Sequence, residues 1–330
     1  MNKADLPPLA LIAGPTASGK SALALAAAEL SPVTIINADS AQVYRDLRIL
    51  SARPDESDMG RAPHRLFGYI DGAEACSAAR WAADAKAEIA AAHAEGRLPL
   101  LVGGTGLYIR TLLDGIAPIP EIDPSVRAVV RDMAVDDAYV ALREADPDSA
   151  DRLSPTDTTR VKRALEVVRS TAYPLSHWHE RREGGIGDQV ALRPLVLLPP
   201  RDWLVARSDA RFLGMVEGGG VGEVERLLER HLHRDLPVMR AIGVREVAAW
   251  LAGEMNRPEM LHAGRVATRQ YAKRQYTWFR NQLPQDWDRV EEPITAELAQ
   301  SAAERLTSDD PAARSIDSEP EPIAAKAPAR

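Results

Sequence analysis

Residues 14–21 read Gly-Pro-Thr-Ala-Ser-Gly-Lys-Ser, a complete G-x-x-x-x-G-K-[ST] phosphate-binding loop. An apolar run at 9–13 precedes it, and an alanine- and leucine-rich helical pattern at 22–30 follows. The motif therefore sits where a strand turns into a helix, and few folds satisfy that condition. The glycines let backbone N–H groups curl around an anion, and the helix N-terminus adds the positive end of its dipole. Gly14, Pro15, Thr16, Ala17, Ser18, Gly19, Lys20 and Ser21 are the expected cradle for a di- or triphosphate. Lys20 brings a point charge to the terminal phosphate, and Ser21 a hydroxyl for Mg2+.

Further short apolar runs at 33–37 and 98–102 alternate with helical patterns at 22–30 and 78–95. Alternating β and α elements imply a parallel sheet with right-handed crossovers. A fourth strand, at 195–198, follows a long detour that opens at Pro118-Ile119-Pro120 and closes near Arg193-Pro194. Within the detour, Asp123-Pro124 announces a helix over 125–133, and Ser154-Pro155 one over 160–169. Gly184-Gly185 marks a loose loop. Beyond Pro200, helical patterns cover 203–216, 222–233, 239–251 and 262–281. The expected fold class is α/β: a P-loop parallel-sheet core (1–117 and 193–305) with an inserted helical module (118–192) and C-terminal helices. Residues 306–330, rich in Pro, Ala, Ser and acidic side chains without periodicity, are expected to form a disordered tail.

A chain of 330 residues can bury a sizeable core. Cys76 is the sole cysteine, which excludes a disulfide framework or a cysteine-based zinc site and suits a reducing, cytoplasmic setting. The first apolar run leads straight into the phosphate loop, so it is expected to be a core strand rather than a signal peptide. No apolar stretch is long enough to span a bilayer, and with no heptads or apolar dimer face the expected state is a monomer. The net charge of −7 argues against a nucleic-acid partner, but the sign of charge is segregated along the chain.

Ligands of open α/β sheets sit outside the carboxyl ends of the strands. Asp39 follows the second strand there, and three roles are open to it: a Mg2+ ligand, a general base, or a helix cap. Gln42 and Tyr44 add polar and aromatic groups suited to a planar base. The third strand ends in Gly103-Gly104-Thr105-Gly106, where Thr105 can donate to a leaving-group oxygen or cap the next helix. On a helix, His262, Arg265, Arg269, Lys273, Tyr276 and Arg280 share one face, with no Asp or Glu between Glu259 and Asp286. Such an unbalanced stripe, interleaved with Tyr271, Tyr276 and Trp278, reads as a contact for a phosphodiester backbone. Arg240 and Arg245 flank Ile242-Gly243 and extend it. Arg207 and Arg211 can clamp a diphosphate or pair with Asp209 and Glu217. His177-Trp178-His179 reads as a surface loop and Cys76 as a small buried hydrophobe.

Together these residues resemble the tRNA dimethylallyltransferase family. The resemblance is carried by the phosphate loop at 14–21, Asp-Ser-Ala-Gln-Val-Tyr at 39–44 and Ala-Pro-His-Arg-Leu at 62–66. It continues through Gly-Gly-Thr-Gly-Leu-Tyr at 103–108, Arg-Ala-Leu-Glu-Val at 163–167, Leu-Pro-Val-Met-Arg-Ala-Ile-Gly at 236–243 and the run from Thr268 to Arg280. It implies transfer of a dimethylallyl group from dimethylallyl diphosphate to N6 of adenosine 37 in tRNAs reading codons that begin with U. The phosphate loop then holds the diphosphate, Asp39 is the general base, Thr105 and Arg211 steady the departing oxygens, and Mg2+ offsets their charge. The adenine is flipped out of the anticodon loop, and the inserted module grips the anticodon stem-loop. The resemblance assigns RNA contacts to Asp39, Ser40, Ala41, Gln42 and Thr105, to Arg127, Thr159, Arg160, Val161, Lys162 and Arg163, to Arg240, Ala241, Ile242, Gly243, Val244 and Arg245, and to Arg265, Arg269 and Lys273.

The chain departs from the family pattern at Arg53 (usually Lys before Pro), at Arg65 (often a second His) and at Val244 (usually aromatic). A small-molecule or nucleotide kinase is the alternative that binds ATP in the same loop. It leaves the basic stripe unexplained. A non-catalytic RNA-binding protein or nucleotide-driven switch has no need of Asp39 and Thr105 at neighbouring strand ends.

Overall fold

A computed structural model describes residues 6–310, so the stretch 311–330 of the expected tail lies outside the described residues. The chain divides into two compact units, residues 1–110 with 187–330, and residues 111–186.

In the first unit, six strands form one parallel sheet in the order β3-β2-β4-β1-β5-β6. Its elements open with β1 (Pro8–Ala13), α1 (Lys20–Leu30), β2 (Val33–Asn37), α2 (Glu56–Arg61), β3 (His64–Arg65), α3 (Ala78–Ala94), β4 (Leu98–Gly103) and α4 (Gly106–Asp114). The second unit holds α5 (Pro124–Asp132), α6 (Val135–Ala145), α7 (Pro147–Arg152), α8 (Thr158–Thr171) and α9 (Leu175–His179). The first unit resumes with β5 (Ala191–Leu197), α10 (Arg201–Met215), α11 (Val221–Glu229), α12 (Val244–Leu251), α13 (Arg257–Gln282), β6 (Asp288–Val290) and α14 (Ala296–Thr307).

The central strands are apolar throughout because helices cover both faces of a parallel sheet. Leu9 to Ala13 are all fully buried. Under one face, Ile12, Ile35 and Leu100 pack with Leu23 and Ala27 of α1 and with Ala302 and Leu306 of α14. Asp288–Val290 and His64–Arg65 are too short to show a period, and both are edge strands. The strand expected at 195–198 begins earlier, at Ala191, because Ala191 and Leu192 already pair with Pro8 and Leu9.

The expected tail needs correction at its start. Leu306 is 5% exposed in the last turn of α14, which stays helical to Thr307. The helical unit also has different limits from 118–192: its division falls at 111 and 186, because the last turn of α4 and the Ile116–Glu183 bridge belong with it. Asp123 caps α5 by accepting from Ser125 N–H at 2.7 Å. The cap of α8 is Asp157, not Ser154, and it accepts from Arg160 N–H at 3.1 Å. Val130, Leu142, Val161 and Leu165 form the core of this unit.

Candidate active site

The order β2-β4-β1 places three consecutive carboxyl ends side by side, with Ala13 beside Gly103 and Asn37 beside Val102. The phosphate loop, Asp39 and the glycine-rich turn before Thr105 emerge from them. Close approach is enforced by missing side chains. A Cβ on Gly103 would lie 2.1 Å from the Ala38 carbonyl, and one on Gly14 2.6 Å from the Leu197 carbonyl oxygen.

Two cations converge on the phosphate loop, one from within it and one from α10. Lys20 Nζ donates to the Gly14 and Pro15 carbonyls at 2.9 and 2.6 Å. The Arg211 guanidinium reaches across from α10 and donates to Thr16 Oγ1. Burial lowers the Lys20 pKa from 10.5 to about 8; the attraction of Asp39 opposes this shift and the repulsion of Arg211 adds to it. Burial also holds the Arg211 guanidinium below its ordinary range. The Ser18 hydroxyl is fully buried without a hydrogen-bond partner. Two desolvated cations and an orphaned hydroxyl at a helix N-terminus are what an anion of high charge requires.

Asp39 is held from its own strand. Its N–H donates to Asn37 Oδ1 at 2.8 Å, its Oδ1 accepts from Ala41 N–H at 3.0 Å, and Asn37 Nδ2 donates to its carbonyl at 3.0 Å. Thr105 joins the two strand ends: its Oγ1 accepts from Ser40 N–H at 2.9 Å and donates to Ser40 Oγ at 3.1 Å. Gln42 spends both amide hydrogens on the carbonyls of Ser51 and Ala52, at 3.0 and 2.9 Å, leaving its oxygen as an acceptor. That turn is fastened in its turn by the buried Glu223 carboxylate of α11, which takes the N–H groups of Arg48, Ile49 and Leu50 at 2.8–3.1 Å.

Two residues of α13 complete the site from behind. Gln275 is 6% exposed, accepts from Thr16 N–H at 2.8 Å and donates to the Gly104 carbonyl at 2.7 Å. The Tyr271 side chain lies against Thr105, and burial followed by the charge of Asp39 pushes its phenol well above the ordinary tyrosine range. Sequence reasoning gave Gln275 no role and named Tyr271 only among the aromatics interleaved with the basic stripe. The available signal was the buried row Met260, Gly264, Thr268, Ala272, Gln275 and Phe279, where a long polar side chain interrupts small and apolar residues.

Other expected residues fall elsewhere. Arg207 is exposed and stacks on Trp203 at 4.9 Å, so Arg211 alone reaches the loop. Asp209 and Glu217 pair instead with Arg269 and Arg257. The basic face of α13 is thus balanced at Arg269 by a neighbouring helix, which sequence spacing could not show. Tyr276 leaves that face: Arg201 stacks on its ring at 4.8 Å and its hydroxyl lies 3.4 Å from the Leu198 carbonyl. Lys273 and Arg245 are exposed and make no ion pair among the described residues. Arg240 pairs with Asp235 at 3.1 Å. Ala241 and Ile242 are half-buried beside it, and Arg265 is half-buried on α13.

Val244 is 1% exposed and Val161 fully buried, so neither side chain is available to an RNA; Gly243, also buried, approaches Leu50 and Phe212. In the helical unit, Thr159 and Arg160 are exposed, Arg127 is half-buried, Lys162 donates to the Arg131 carbonyl at 2.8 Å and Arg163 pairs with Glu166 at 3.5 Å. Cys76 is half-buried rather than a core hydrophobe, with the hydroxyls of Tyr44, Tyr69 and Tyr108 around it. His177 and His179 lie on the short α9, and among the described residues no three His, Cys, Asp or Glu side chains gather around a metal position.

Ser21 is exposed in the first turn of α1. Mg2+ commonly keeps several waters and takes one or two protein oxygens plus substrate phosphates, so this donor set fits an ion that arrives with a diphosphate.

Known proteins resemble most of the chain. The family described as "IPP transferase" matches residues 42–282, and that described as "Isopentenyl transferase" matches residues 7–74. A tRNA dimethylallyltransferase of Sphingopyxis alaskensis is 60% identical over 90% of this chain and 98% of its own length. One of Erythrobacter litoralis is 60% identical over 87% and 92%. Among solved structures, the full-length tRNA isopentenylpyrophosphate transferase of Bacillus halodurans is 31% identical with a TM-score of 0.64, over 91% of this chain and 96% of that one. A eukaryotic dimethylallyltransferase acting on tRNA gives 27% and 0.71, over 82% and 69%. These similarities favour prenyl transfer over the kinase alternative.

Proposed function

We propose, from the premise that this chain belongs to the tRNA dimethylallyltransferase family, that it moves a dimethylallyl group from dimethylallyl diphosphate to N6 of adenosine 37 in tRNAs reading codons that begin with U. The observation that carries this reading is the convergence of two cations on the phosphate loop (Lys20, Arg211) beside a carboxylate (Asp39) that follows the neighbouring strand. An exocyclic adenine amine is a poor nucleophile because its lone pair is delocalised into the ring. The displacement needs a base for the amine proton and an electrostatic sink for the leaving group.

In the proposed reaction the N6–carbon bond forms as the carbon–oxygen bond to diphosphate breaks. Asp39 takes the N6 proton, while Lys20, Arg211, Thr105 and the phosphate-loop N–H groups hold the departing oxygens. Ser21 would hold a magnesium ion, which would offset leaving-group charge. Gln42 and Ser40 contact the flipped adenine. The exposed cations Lys273 and Arg245, with Arg127, Arg160, Lys162 and Arg163 of the helical unit, contact the anticodon stem-loop as positioning charges. Among the described residues no helix is long and apolar enough to cross a membrane. A monomer in the cytoplasm, with Cys76 as a free thiol, completes the reading.

The test is direct. Purified protein, Mg2+, labelled dimethylallyl diphosphate and unmodified tRNA are incubated, and the digested nucleosides examined. Label on N6 of adenosine 37 is expected; label on no nucleoside overturns the reading.

Lys20 supplies a pH signature. Its folded pKa, about 8, lies below the ordinary 10.5, so the ligand-free fold gains stability as pH rises through that window. Diphosphate favours the charged form, so its affinity is expected to fall by up to about tenfold per pH unit above 8. Calorimetry with inorganic diphosphate should show this for the wild type. Lys20→Arg, which keeps its charge, corrects for the ligand's own titration; equal slopes in the two proteins would remove Lys20 from the site.

A further inference from the structure

The phosphate loop and the base loop belong to different strands, and the transfer depends on the spacing between them. A buried amide sets that spacing. Gln275 Oε1 takes the Thr16 N–H at 2.8 Å and Gln275 Nε2 gives to the Gly104 carbonyl at 2.7 Å. Its orientation is unambiguous, because a backbone N–H must meet the oxygen and a backbone carbonyl the NH2 group. Each end stands one bond network from a group proposed to react. Thr16 carries the Arg211 contact, and Gly104 lies against Asp39 and precedes Thr105. A Cβ on Gly104 would approach within 2.3 Å of Gln275 Nε2 and 3.2 Å of Asp39 Oδ2, so the contact admits no side chain there.

Resting on the transferase reading above, we propose that Gln275 is a positioning residue: a two-ended connector that holds the diphosphate loop and the base loop at the separation the transfer needs. The requirement is for one acceptor and one donor on the same planar group. A carboxylate offers acceptors only, and an aliphatic chain neither. A protonated carboxyl, in contrast, offers a carbonyl oxygen and an O–H, the same pair as the amide. The charged and titratable groups facing this amide are Asp39 from the β2 end, Lys20 and Arg211 around the phosphate loop, and Tyr271 one turn back on α13.

The experiment compares wild type, Gln275→Met and Gln275→Glu in the full chain. Gln275→Met keeps the volume and loses both bonds; kcat is expected to fall about 100-fold, as small misplacements of reacting groups do. Affinity for tRNA should stay within about threefold, because nothing on the RNA face changes. Gln275→Glu is expected to be as impaired at pH 8, and its kcat relative to wild type should rise at least about tenfold towards pH 6 as the carboxyl protonates and regains its donor. A merely structural role has no reason to show that recovery. Inorganic diphosphate binding is measured in parallel and should weaken about tenfold in Gln275→Met, since Thr16 loses its tether. A Met variant within threefold of wild type in both kcat and diphosphate affinity, or a Glu variant with a flat pH ratio, overturns the proposal. If the wild type transfers no label, the transferase reading fails, and the diphosphate titration still decides whether Gln275 orders the loop.

Discussion

Asp39→Asn is expected to lower kcat for prenyl transfer by about 1,000-fold, the range over which a positioned general base contributes. The substitution is chosen because Asn keeps an Oδ1 to accept the Ala41 N–H, so the turn that presents residue 39 survives. What it removes is the acceptor for the N6 proton and one negative charge that acts on two half-buried cations, Lys20 and Arg211. The second loss has a sign of its own. The attraction of Asp39 currently raises the Lys20 pKa against burial, so in the variant Lys20 titrates below about 8. At pH 7 the loop is then at least as electropositive as before, and KM for dimethylallyl diphosphate should not rise. The expected pattern is a collapse of kcat with donor KM unchanged or lower and tRNA affinity within about threefold. Steady-state kinetics with both substrates separates the cases. Near-wild-type turnover removes Asp39 as the base, and a large rise in donor KM would make it a structural partner of the cations.

The sequence makes the strand-end chemistry legible for a local reason. A phosphate loop, Asp39 and the turn before Thr105 each sit directly after an apolar run, so a strand prediction carries its site residue with it. Residues acting through tertiary contact leave no such trace. Glu223 grips Arg48 N–H from 175 positions away, and nothing on α11 marks it. Gln275 lies within a run written almost entirely in cations and aromatics, and only the buried row of α13 sets it apart. Helical periodicity places Arg269 on a cationic face but cannot see Asp209 on α10, which pairs with it. The same blindness turns Val161 and Val244 from proposed RNA contacts into core residues, since each stands next to an exposed arginine, Arg160 and Arg245. Ser154-Pro155 resembles a helix start as well as Asp157 does, and only the Arg160 N–H decides between them.

The two arginines that share a face of α10 are expected to separate sharply when each is replaced by Gln. Arg211→Gln should cost about 100- to 1,000-fold in kcat/KM for dimethylallyl diphosphate, the scale of losing a donor that stabilises developing charge in a water-poor site. Arg207→Gln should stay within about threefold, because Arg207 is exposed and stacked on Trp203, whereas Arg211 is the one bonded to Thr16. Arg211→Lys restores charge but not the planar fork and should recover only part of the loss. The electrostatic corollary is independent of turnover. Arg211 lowers the Lys20 pKa, so its removal raises that pKa, and the pH at which diphosphate binding weakens moves upward from about 8. Removing one of two neighbouring half-buried cations should also leave the ligand-free melting temperature unchanged or higher, while the extra stability gained on adding diphosphate shrinks. Equal losses in the Arg207 and Arg211 variants would show that the clamp is shared. An Arg211 variant with wild-type donor kinetics would return the leaving-group charge to Lys20 and the backbone N–H groups alone.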